Sequence, residues 1–337
     1  MSKLKRSFIN MIMGGALYIV PILLNLIFTP LLLRQLGEAA YGLQALGNIV
    51  ILYFMVTDLG LDIIVVKFIS EFNAKKDHAT LNKIFNTTFQ YYCLIGVAGM
   101  LIIGLFSDVF VYRLFNIPPE LHREAKNVFL LTGIGFAGSV VSIWGRGVCI
   151  GFQRYDIANG INIINNIFSN VVGVMAVMYG YGVVGYVAVR VTCAFLSACA
   201  YIYFSQNLVP AYKFNFGFDS FVWGLLKSQV GYGFILRISG MWILGLDRTF
   251  IGAWLGVGAV SIYAIPYLIA SSFSLLIQST MHFIFPMTSE LHSTNKHEEL
   301  LSLFLRGAKF IVLLSTLLFL PLLLFGDKFL SLWLGAG

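Results

Sequence analysis

LGEAAYGLQALGN, residues 36–48, opens an eighty-residue segment, Leu36–Phe115, that recurs without a gap as Leu255–Leu334. Sixteen of the eighty aligned pairs are identical. The polar matches carry most of the weight, because an apolar composition alone does not produce them. They are Ser70-Glu71 on Ser289-Glu290, His78 on His297 and Asp108 on Asp327. A duplicated unit of this kind is typical of membrane transporters, in which two halves rock about a central path.

The composition predicts a membrane protein. Apolar residues make up 58% of the 337 residues and charged residues 11%, whereas a soluble domain carries about 25% charged residues. A bilayer crossing takes roughly 20 apolar residues. We predict nine spans, at 8–33, 43–66, 84–106, 125–151, 157–179, 183–206, 229–253, 262–287 and 307–325. The first is too long for a signal peptide and lacks a small-x-small cleavage site.

The predicted fold class is all-α, a polytopic transmembrane helix bundle of two parallel six-helix repeats. We divide the chain into an N-terminal six-helix bundle (1–206), a cytoplasmic linker (207–228) and the first three helices of a C-terminal bundle (229–337). Part of the linker, Asn207–Lys227, is predicted to be an amphipathic helix on the inner surface. By the repeat, the second unit extends to roughly residue 425, so we expect a fragment or a truncated product with about nine of twelve or more spans.

Basic residues predict the orientation. With a cytoplasmic N-terminus, thirteen Lys and Arg residues fall in inner segments and five in outer ones, as the positive-inside rule requires. The net charge of +7 therefore reflects topology, and we expect no nucleic-acid partner. No cofactor, metal site or catalytic arrangement is predicted. The cysteines lie in apolar spans without ligand-like spacing and are interpreted as packing residues: Cys93, Cys149, Cys193 and Cys199.

Arginines at membrane depth are the first candidate binding residues. A charge at a helix centre costs about 2.5–3.5 kcal/mol, so it usually faces a wet cavity or a partner. Eleven residues separate Arg237 from Arg248, which places both on one face of span seven, roughly 16 Å apart. The alternative is snorkelling at the helix ends, with Asp247 neutralising Arg248. The predicted substrate-binding arginines are Arg146, Arg190, Arg237 and Arg248.

Acidic residues in the spans are candidates for ion coupling or gating. Asp58 and Asp62 are four residues apart and are predicted to share one helix face. Two carboxylates at this spacing repel each other, which favours protonation of one of them. The structural alternative is that Asp62 pairs with Lys67 while Asp58 caps a neighbouring helix. Asp247 is the third candidate.

The fifth span carries a row of amides. Side-chain amides donate and accept hydrogen bonds, as sugar hydroxyls require, so we predict a substrate-binding wall here. The structural alternative is interhelical hydrogen bonding, worth about 0.6 kcal/mol per contact. Four amides at helical spacing favour the wall. They are Asn159, Asn162, Asn166 and Asn170, with Asn165 and Ser169 beside them.

Several motifs resemble a known family. They are Leu36-Gly-Glu-Ala-Ala-Tyr-Gly42, Asp58-Leu-Gly-Leu61, and Leu246-Asp247-x-x-Phe250-Ile-Gly252 followed by Leu255-Gly256 and Tyr263. They look like the polysaccharide-biosynthesis and O-antigen repeat-unit flippases of the multidrug/oligosaccharidyl-lipid/polysaccharide exporter (MOP) superfamily. The resemblance covers essentially the whole chain. It implies a transporter of polyprenyl-pyrophosphate-linked oligosaccharides across the bacterial inner membrane, for O-antigen, capsule or exopolysaccharide synthesis.

The implied partners are the lipid-linked oligosaccharide, the lipid bilayer, and the polysaccharide polymerase and chain-length machinery. Arginines would meet the pyrophosphate and the amides would meet the sugars. A multidrug cation antiporter of the same superfamily is one alternative, but it should favour carboxylates and aromatics in its cavity. A membrane glycan polymerase or acyltransferase is another, but such enzymes usually show large outer loops or a His-centred motif. We therefore predict a transporter without enzymatic activity.

Overall fold

A computed structural model describes the backbone of residues 3–209, 212–217, 219–293 and 297–335. Within these ranges, side chains are described except at 3–14, 18, 228–230, 232, 236, 244, 278–287, 289–293 and 297. All regular structure in the described residues is helical, which confirms the predicted all-α class. The helices are α1 (Lys3–Phe54), α2 (Leu61–Ala74), α3 (His78–Leu105), the single turn α4 (Ser107–Val109), α5 (His122–Gly151), α6 (Tyr155–Ala176), α7 (Gly182–Leu208), α8 (Ser220–Trp254), α9 (Val257–Ser293) and α10 (His297–Leu334).

Residues with positive φ interrupt the apolar helices. Gly37, with φ of 76°, bends α1 into two segments. Gly180, with φ of 86°, and Gly182, with φ of 59°, separate α6 from α7. Glycine adopts this conformation without the steric cost that a Cβ brings. Two long apolar stretches are thereby divided.

The predicted continuous span at 43–66 is wrong. After α1 ends at Phe54, a 3-10 turn covers Met55–Asp58. Leu59 and Gly60 then have φ of 55° and 75°, so α2 starts in a new direction at Leu61. The apolar pattern hid this break because Met55, Val56 and Leu59 continue it through the turn.

Six stretches of the described residues are long and apolar enough to cross a membrane, so the chain is a polytopic membrane protein. One of these stretches, Tyr155–Leu208 with 54 residues, contains two predicted spans, and another, Gly15–Asp58 with 44, overlaps parts of the first two. Within α8, Gly233–Ile243 is a shorter apolar stretch. The total of nine spans stays a prediction.

The expected amphipathic helix in Asn207–Lys227 is not present in the described residues. Residues 212–217 are not helical, and Ser220–Lys227 form the first two turns of the long helix α8. The reason is that α3 supplies hydrogen-bond partners to this segment, as described below.

The core lies between the N-terminal helices. α5 packs against both α3 and α7, and α1 packs against α6 and α9. Trp144 of α5 is fully buried between Phe85 and Phe89 of α3, with ring centroids at 4.8 and 4.9 Å. Large apolar side chains of α10, such as Leu323 and Leu332, are more than 80% exposed, as expected of a surface that faces lipid.

Candidate functional site

A cavity of about 450 Å³ lies between the N-terminal helices α1, α5, α6 and α7 and the C-terminal helices α8 and α9. Its charged residues are Arg190 of α7 and Arg248 of α8. No Asp or Glu is among the described residues that line it. The rest of its polar lining is uncharged: Asn25, Thr29, Tyr41, Gln44, Asn48, Thr132, Ser139, Asn165, Asn166, Ser169, Asn170, Tyr186, Tyr267 and Ser271. The cavity therefore offers positive charge, amides and hydroxyls.

The α6 amides form part of this lining. Asn166 and Asn170 lie one helical turn apart, and each donates its side-chain amide to the backbone carbonyl one turn before it, at 2.9 Å. Oδ1 of Asn165 is buried and accepts no hydrogen bond from the described residues. Asn159 and Asn162 lie outside the lining, because they are closer to the other end of α6. The amide face thus extends further along α6 than the cavity does.

Amides of α1, which were not among the predicted site residues, complete the amide wall of the cavity. Asn25 precedes the bend at Gly37, whereas Gln44 and Asn48 follow it at a spacing of four residues. The sequence does carry a signal for these residues, because an isolated amide in an apolar span needs a hydrogen-bond partner or water. The row of amides on α6 is easier to recognise in the sequence, because it has four members at helical spacing.

The two cavity arginines each contact a tyrosine. Nη1 of Arg190 donates to the hydroxyl of Tyr186 at 3.3 Å, and no ion pair links Arg190 to a carboxylate of the described chain. The Arg248 guanidinium lies 4.2 Å above the ring centroid of Tyr267, a cation–π contact. Both guanidinium groups therefore lie against aromatic rings, which restricts how far they move.

Asp247 is placed beside the cavity rather than in its lining. Its carboxylate accepts hydrogen bonds from the backbone N–H of Arg248, at 2.7 Å, and from the hydroxyl of Tyr263. The nearest contact between the two charged side chains, Arg248 Nε to Asp247 Oδ1, is 4.0 Å. The predicted neutralisation of Arg248 by Asp247 is thus a long ion pair.

A second polar group joins the N-terminal and C-terminal helices, and we call it the carboxylate–arginine cluster: Asp58, Asp62, Tyr92 and Arg237. Nη2 of Arg237 lies 3.1 Å from Asp58 Oδ2 and 2.6 Å from Asp62 Oδ2. The hydroxyl of Tyr92 donates to the other oxygen of Asp58, whose side chain is 3% exposed. The cluster lies outside the cavity lining, although Arg237 was predicted as a substrate contact.

The two carboxylates do not share the face of one helix, so that part of the prediction is wrong. Asp58 ends the 3-10 turn and Asp62 lies in the first turn of α2, with Leu59 and Gly60 between them in the left-handed region. They meet through Arg237 instead. The structural alternative, a pair of Asp62 with Lys67, is absent from the described ion pairs. Asp62 pairs with Arg237, and Lys67 Nζ lies 5.5 Å from the ring centroid of Phe68.

The backbones approach closely beside this cluster. A Cβ on Gly233 would lie 2.4 Å from the carbonyl oxygen of Leu59, and one on Gly60 would lie 2.5 Å from Cα of Gly233. Only glycine at both positions permits this contact. Arg146 lies outside both groups, on α5, where its Nε is buried and has no partner in the described protein.

Solved transporters share this fold. One is a multidrug resistance MATE family transporter of the MOP superfamily in an inward-facing conformation, with a TM-score of 0.73 at 14% identity over 95% of this chain and 75% of that chain. Another is a MOP superfamily transporter from Pyrococcus furiosus Vc1 (DSM3638), described as having a binding pocket of reverse polarity. Its TM-score is 0.68 at 15% identity, over 97% of this chain and 73% of that chain. At these identities the likeness shows the fold, which is that of MOP-superfamily transporters.

Sequence comparison gives the family. A profile of the family described as "Polysaccharide biosynthesis protein" matches residues 5–292. A Shigella flexneri protein named "Putative O-antigen transporter" is 22% identical over 94% of this chain and 74% of its own length. "Uncharacterized membrane protein EpsK" of Bacillus subtilis (strain 168) is 24% identical over 94% of this chain and 63% of its own length. The chain belongs to the polysaccharide biosynthesis protein family.

Proposed function

We propose that this chain is a flippase that translocates polyprenyl-pyrophosphate-linked oligosaccharide repeat units for surface polysaccharide synthesis. The observation that carries the proposal is the polarity of the cavity. Two arginines and many amides and hydroxyls line it, whereas no carboxylate occurs among its described lining residues. That combination suits an anionic, hydroxyl-rich headgroup.

The two arginines suit a pyrophosphate held between the halves. Arg190 belongs to α7 and Arg248 to α8, so each side of the cavity provides one guanidinium. A guanidinium binds phosphate oxygens through two parallel hydrogen bonds, which adds geometric selectivity to the attraction of charge. The amides of α1 and α6 would take the sugar hydroxyls, while the polyprenyl tail stays in the lipid.

The carboxylate–arginine cluster is proposed as a gate. Asp58 and Asp62 belong to the N-terminal helices and Arg237 to α8, so separation of the halves at this point breaks both ion pairs. Along α8, Arg237 precedes the cavity residue Arg248 by eleven residues, about 16 Å. Rocking of the halves would open and close the cavity here.

The topology and assembly are part of the proposal. The chain would lie in the bacterial inner membrane with a cytoplasmic N-terminus, as the basic residues indicate. Residues 1–206 would form one bundle, 207–228 the linker, and 229–337 part of the other bundle. Polymerase and chain-length proteins would accept the exported unit.

The alternative of a multidrug cation antiporter is less well supported, although fold neighbours carry that name. A cavity whose described charges are all positive repels organic cations. The Pyrococcus furiosus neighbour, described as having a pocket of reverse polarity, indicates that pocket charge differs within this fold. Drug-susceptibility assays would separate the two functions.

Complementation tests the proposal. The full-length gene that contains this sequence is expressed in a strain that lacks its repeat-unit flippase, and surface polysaccharide is measured. We expect export with the wild type, partial export with Arg190→Lys and little with Arg190→Ala. Arg113→Ala, which removes an exposed arginine outside the cavity, is the control and should export normally. Normal export by Arg190→Ala at wild-type abundance would contradict the proposal.

A further inference from the structure

Three amides of α3 hold the segment that joins α7 to α8. Asn86 Nδ2 donates to the carbonyl of Lys213 at 2.9 Å, and its Oδ1 accepts from the N–H of Asn215 at 3.3 Å. Gln90, one helical turn further along α3, repeats this pattern two residues further along the segment. Together the three recur every four residues along the helix: Asn82, Asn86 and Gln90.

Gln90 makes the same double contact as Asn86. Its Nε2 donates to the carbonyl of Asn215 at 2.8 Å, and its Oε1 accepts from the N–H of Gly217 at 2.9 Å. The match is geometric, because four helical residues rise about 6 Å and two extended residues rise about 6.6 Å. The side-chain amides of α3 thus pair with the backbone of the segment as the edge of a neighbouring β-strand would. Alternate backbone groups of the segment are paired without a neighbouring strand.

The far end of the segment is anchored by a charge. Lys83 Nζ lies 3.0 Å from Asp219 Oδ2, and the hydroxyl of Thr87 accepts from the N–H of Asp219 at 3.3 Å. Asp219 also caps α8, because its carboxylate accepts from the N–H groups of Phe221 and Val222. The segment and the start of α8 are therefore held as one unit on α3.

This unit presents aromatic side chains outward. We call residues 212–217 and 219–223 the aromatic strap. Phe214 is 58% exposed, Phe216 85%, Phe221 58% and Trp223 41%. Exposed lysines flank these rings: Lys213 and Lys227.

We propose that the aromatic strap inserts into the headgroup region of a bilayer surface rich in anionic lipid. The segment joins the apolar helix α7 to α8, so it lies at a membrane surface by connectivity. Aromatic rings favour this interface, and lysines attract anionic headgroups. The α3 amides pair backbone groups of this non-helical segment, which lowers the cost of moving it from water towards the apolar side of the interface. The proposal does not depend on the transported substrate.

Site-directed spin labelling tests it. In a variant whose four native cysteines are replaced, a nitroxide is attached at Phe216→Cys, with Lys75→Cys on the α2–α3 turn as the exposed, aqueous control. The chain is reconstituted in phosphatidylcholine vesicles with and without phosphatidylglycerol. Collision rates with oxygen, which concentrates in lipid, and with a water-soluble nickel chelate are compared. We expect an oxygen-to-nickel ratio severalfold higher at 216 than at 75, and higher still with phosphatidylglycerol.

The amide pairing has its own test. Gln90→Ala should lower the ratio at 216 and increase the mobility of the label, whereas Gln35→Ala, an exposed amide elsewhere, should change neither. Asn86→Ala gives a second variant in case the first does not fold. A ratio at 216 equal to that at 75 in both vesicle types would overturn the proposal. So would a label that is shielded only in native membranes, which would indicate a protein partner.

Discussion

Asp58 and Asp62 show how the backbone decides what a charged residue does. Their spacing is that of neighbours on a helix, yet Leu59 and Gly60 turn the chain between them. Both carboxylates then reach one guanidinium, that of Arg237. At this scale the residue types were visible in the sequence, whereas their partners were not.

Removal of Arg237 is expected to destabilise the protein. Arg237→Ala leaves Asp58, almost completely buried, without its cation, and loss of one partner of a buried pair costs roughly 3–5 kcal/mol. Adding Asp58→Asn and Asp62→Asn to Arg237→Ala should recover part of this loss, since no charge is then unpaired. Thermal unfolding of the purified chains in detergent is the measurement. An Arg237→Ala protein as stable as the wild type would show that the ion pairs contribute little.

The ring of Tyr267 is expected to matter more than its hydroxyl. Arg248 lies over this ring, and a cation–π contact contributes about 0.5–2 kcal/mol. Tyr267→Phe keeps the ring and should support near-normal polysaccharide export, whereas Tyr267→Leu should reduce export at equal protein abundance. Equal export by both variants would remove this contact from the transport mechanism.

At the scale of elements, α8 meets the N-terminal helices through small residues and buried polar contacts. Its hydrogen-bonded contacts run from Gly252, whose carbonyl accepts from the N–H of Asn116, to the cluster at Arg237. Between them, the hydroxyl of Tyr53 donates to the carbonyl of Gly245 at 3.1 Å. Gly60 and Gly233 let the backbones approach between the 3-10 turn and α8. The long helix α8 is thus held against the N-terminal helices at a few specific residues.

Gly233→Ala is expected to separate α8 from its neighbour. The added Cβ would lie 2.4 Å from the backbone oxygen of Leu59, and overpacking of this kind costs about 1–3 kcal/mol. Gly231→Ala is the matched control, because a Cβ there meets nothing within 4 Å. Unfolding temperatures in detergent should fall for Gly233→Ala and not for Gly231→Ala. The reverse order would contradict the close backbone contact.

The ion pair between Lys83 and Asp219, which holds the aromatic strap on α3, is expected to weaken in acid. The hydrogen bond from Lys83 holds the pKa of Asp219 below its usual value, so the pair stabilises the folded chain above the unfolded pKa of about 3.9. This contribution is lost as the pH falls through the lower folded pKa. The mobility of a nitroxide at 216 should therefore rise in that range. In the Asp219→Asn variant, the label at 216 should already be mobile at neutral pH. A label whose mobility changes neither with pH nor in this variant would argue against the role of the Lys83–Asp219 pair.

For the whole molecule, the cavity lies between two contacts of the N-terminal and C-terminal helices. On one side, the N–H of Asn116 donates to the carbonyl of Gly252 at 3.1 Å. On the other side is the carboxylate–arginine cluster. Along α8, Arg248 of the cavity is between Arg237 and Gly252. A transporter that alternates access has to break one of these contacts while the other holds.

A cross-link at the cluster is expected to stop transport reversibly. Asp62→Cys and Arg237→Cys are combined with Asp58→Asn in a cysteine-free background, so that no carboxylate of the cluster is left unpaired, and are joined by a short bis-thiosulfonate reagent. Export should cease with the reagent and return after reduction, because the cross-link holds the two halves together at the proposed gate. Asp62→Cys alone with the same reagent is the control. Continued transport by the cross-linked pair would show that this contact does not open.

Composition was sufficient for the membrane class and the all-helical fold, because burial in lipid demands long apolar helices. The family was indicated by the resemblance of a few motifs, such as Leu36–Gly42 and Asp58–Leu61. Composition and residue spacing also singled out the cavity residues Arg190, Arg248, Asn166 and Asn170, since polar groups are costly in an apolar span. The number of spans and the domain boundaries stay predictions. Each of these inferences depends on local sequence alone.

Only the folded chain decided which candidates meet. Asp58 and Arg237 are 179 positions apart, and Asn86 and Lys213 are 127 apart. Such contacts depend on helix packing and on backbone turns at a few residues, such as Leu59 and Gly60. No local pattern encodes that geometry. For this reason the structure assigned Arg237 to the cluster and Arg248 to the cavity, although both lie on the same helix.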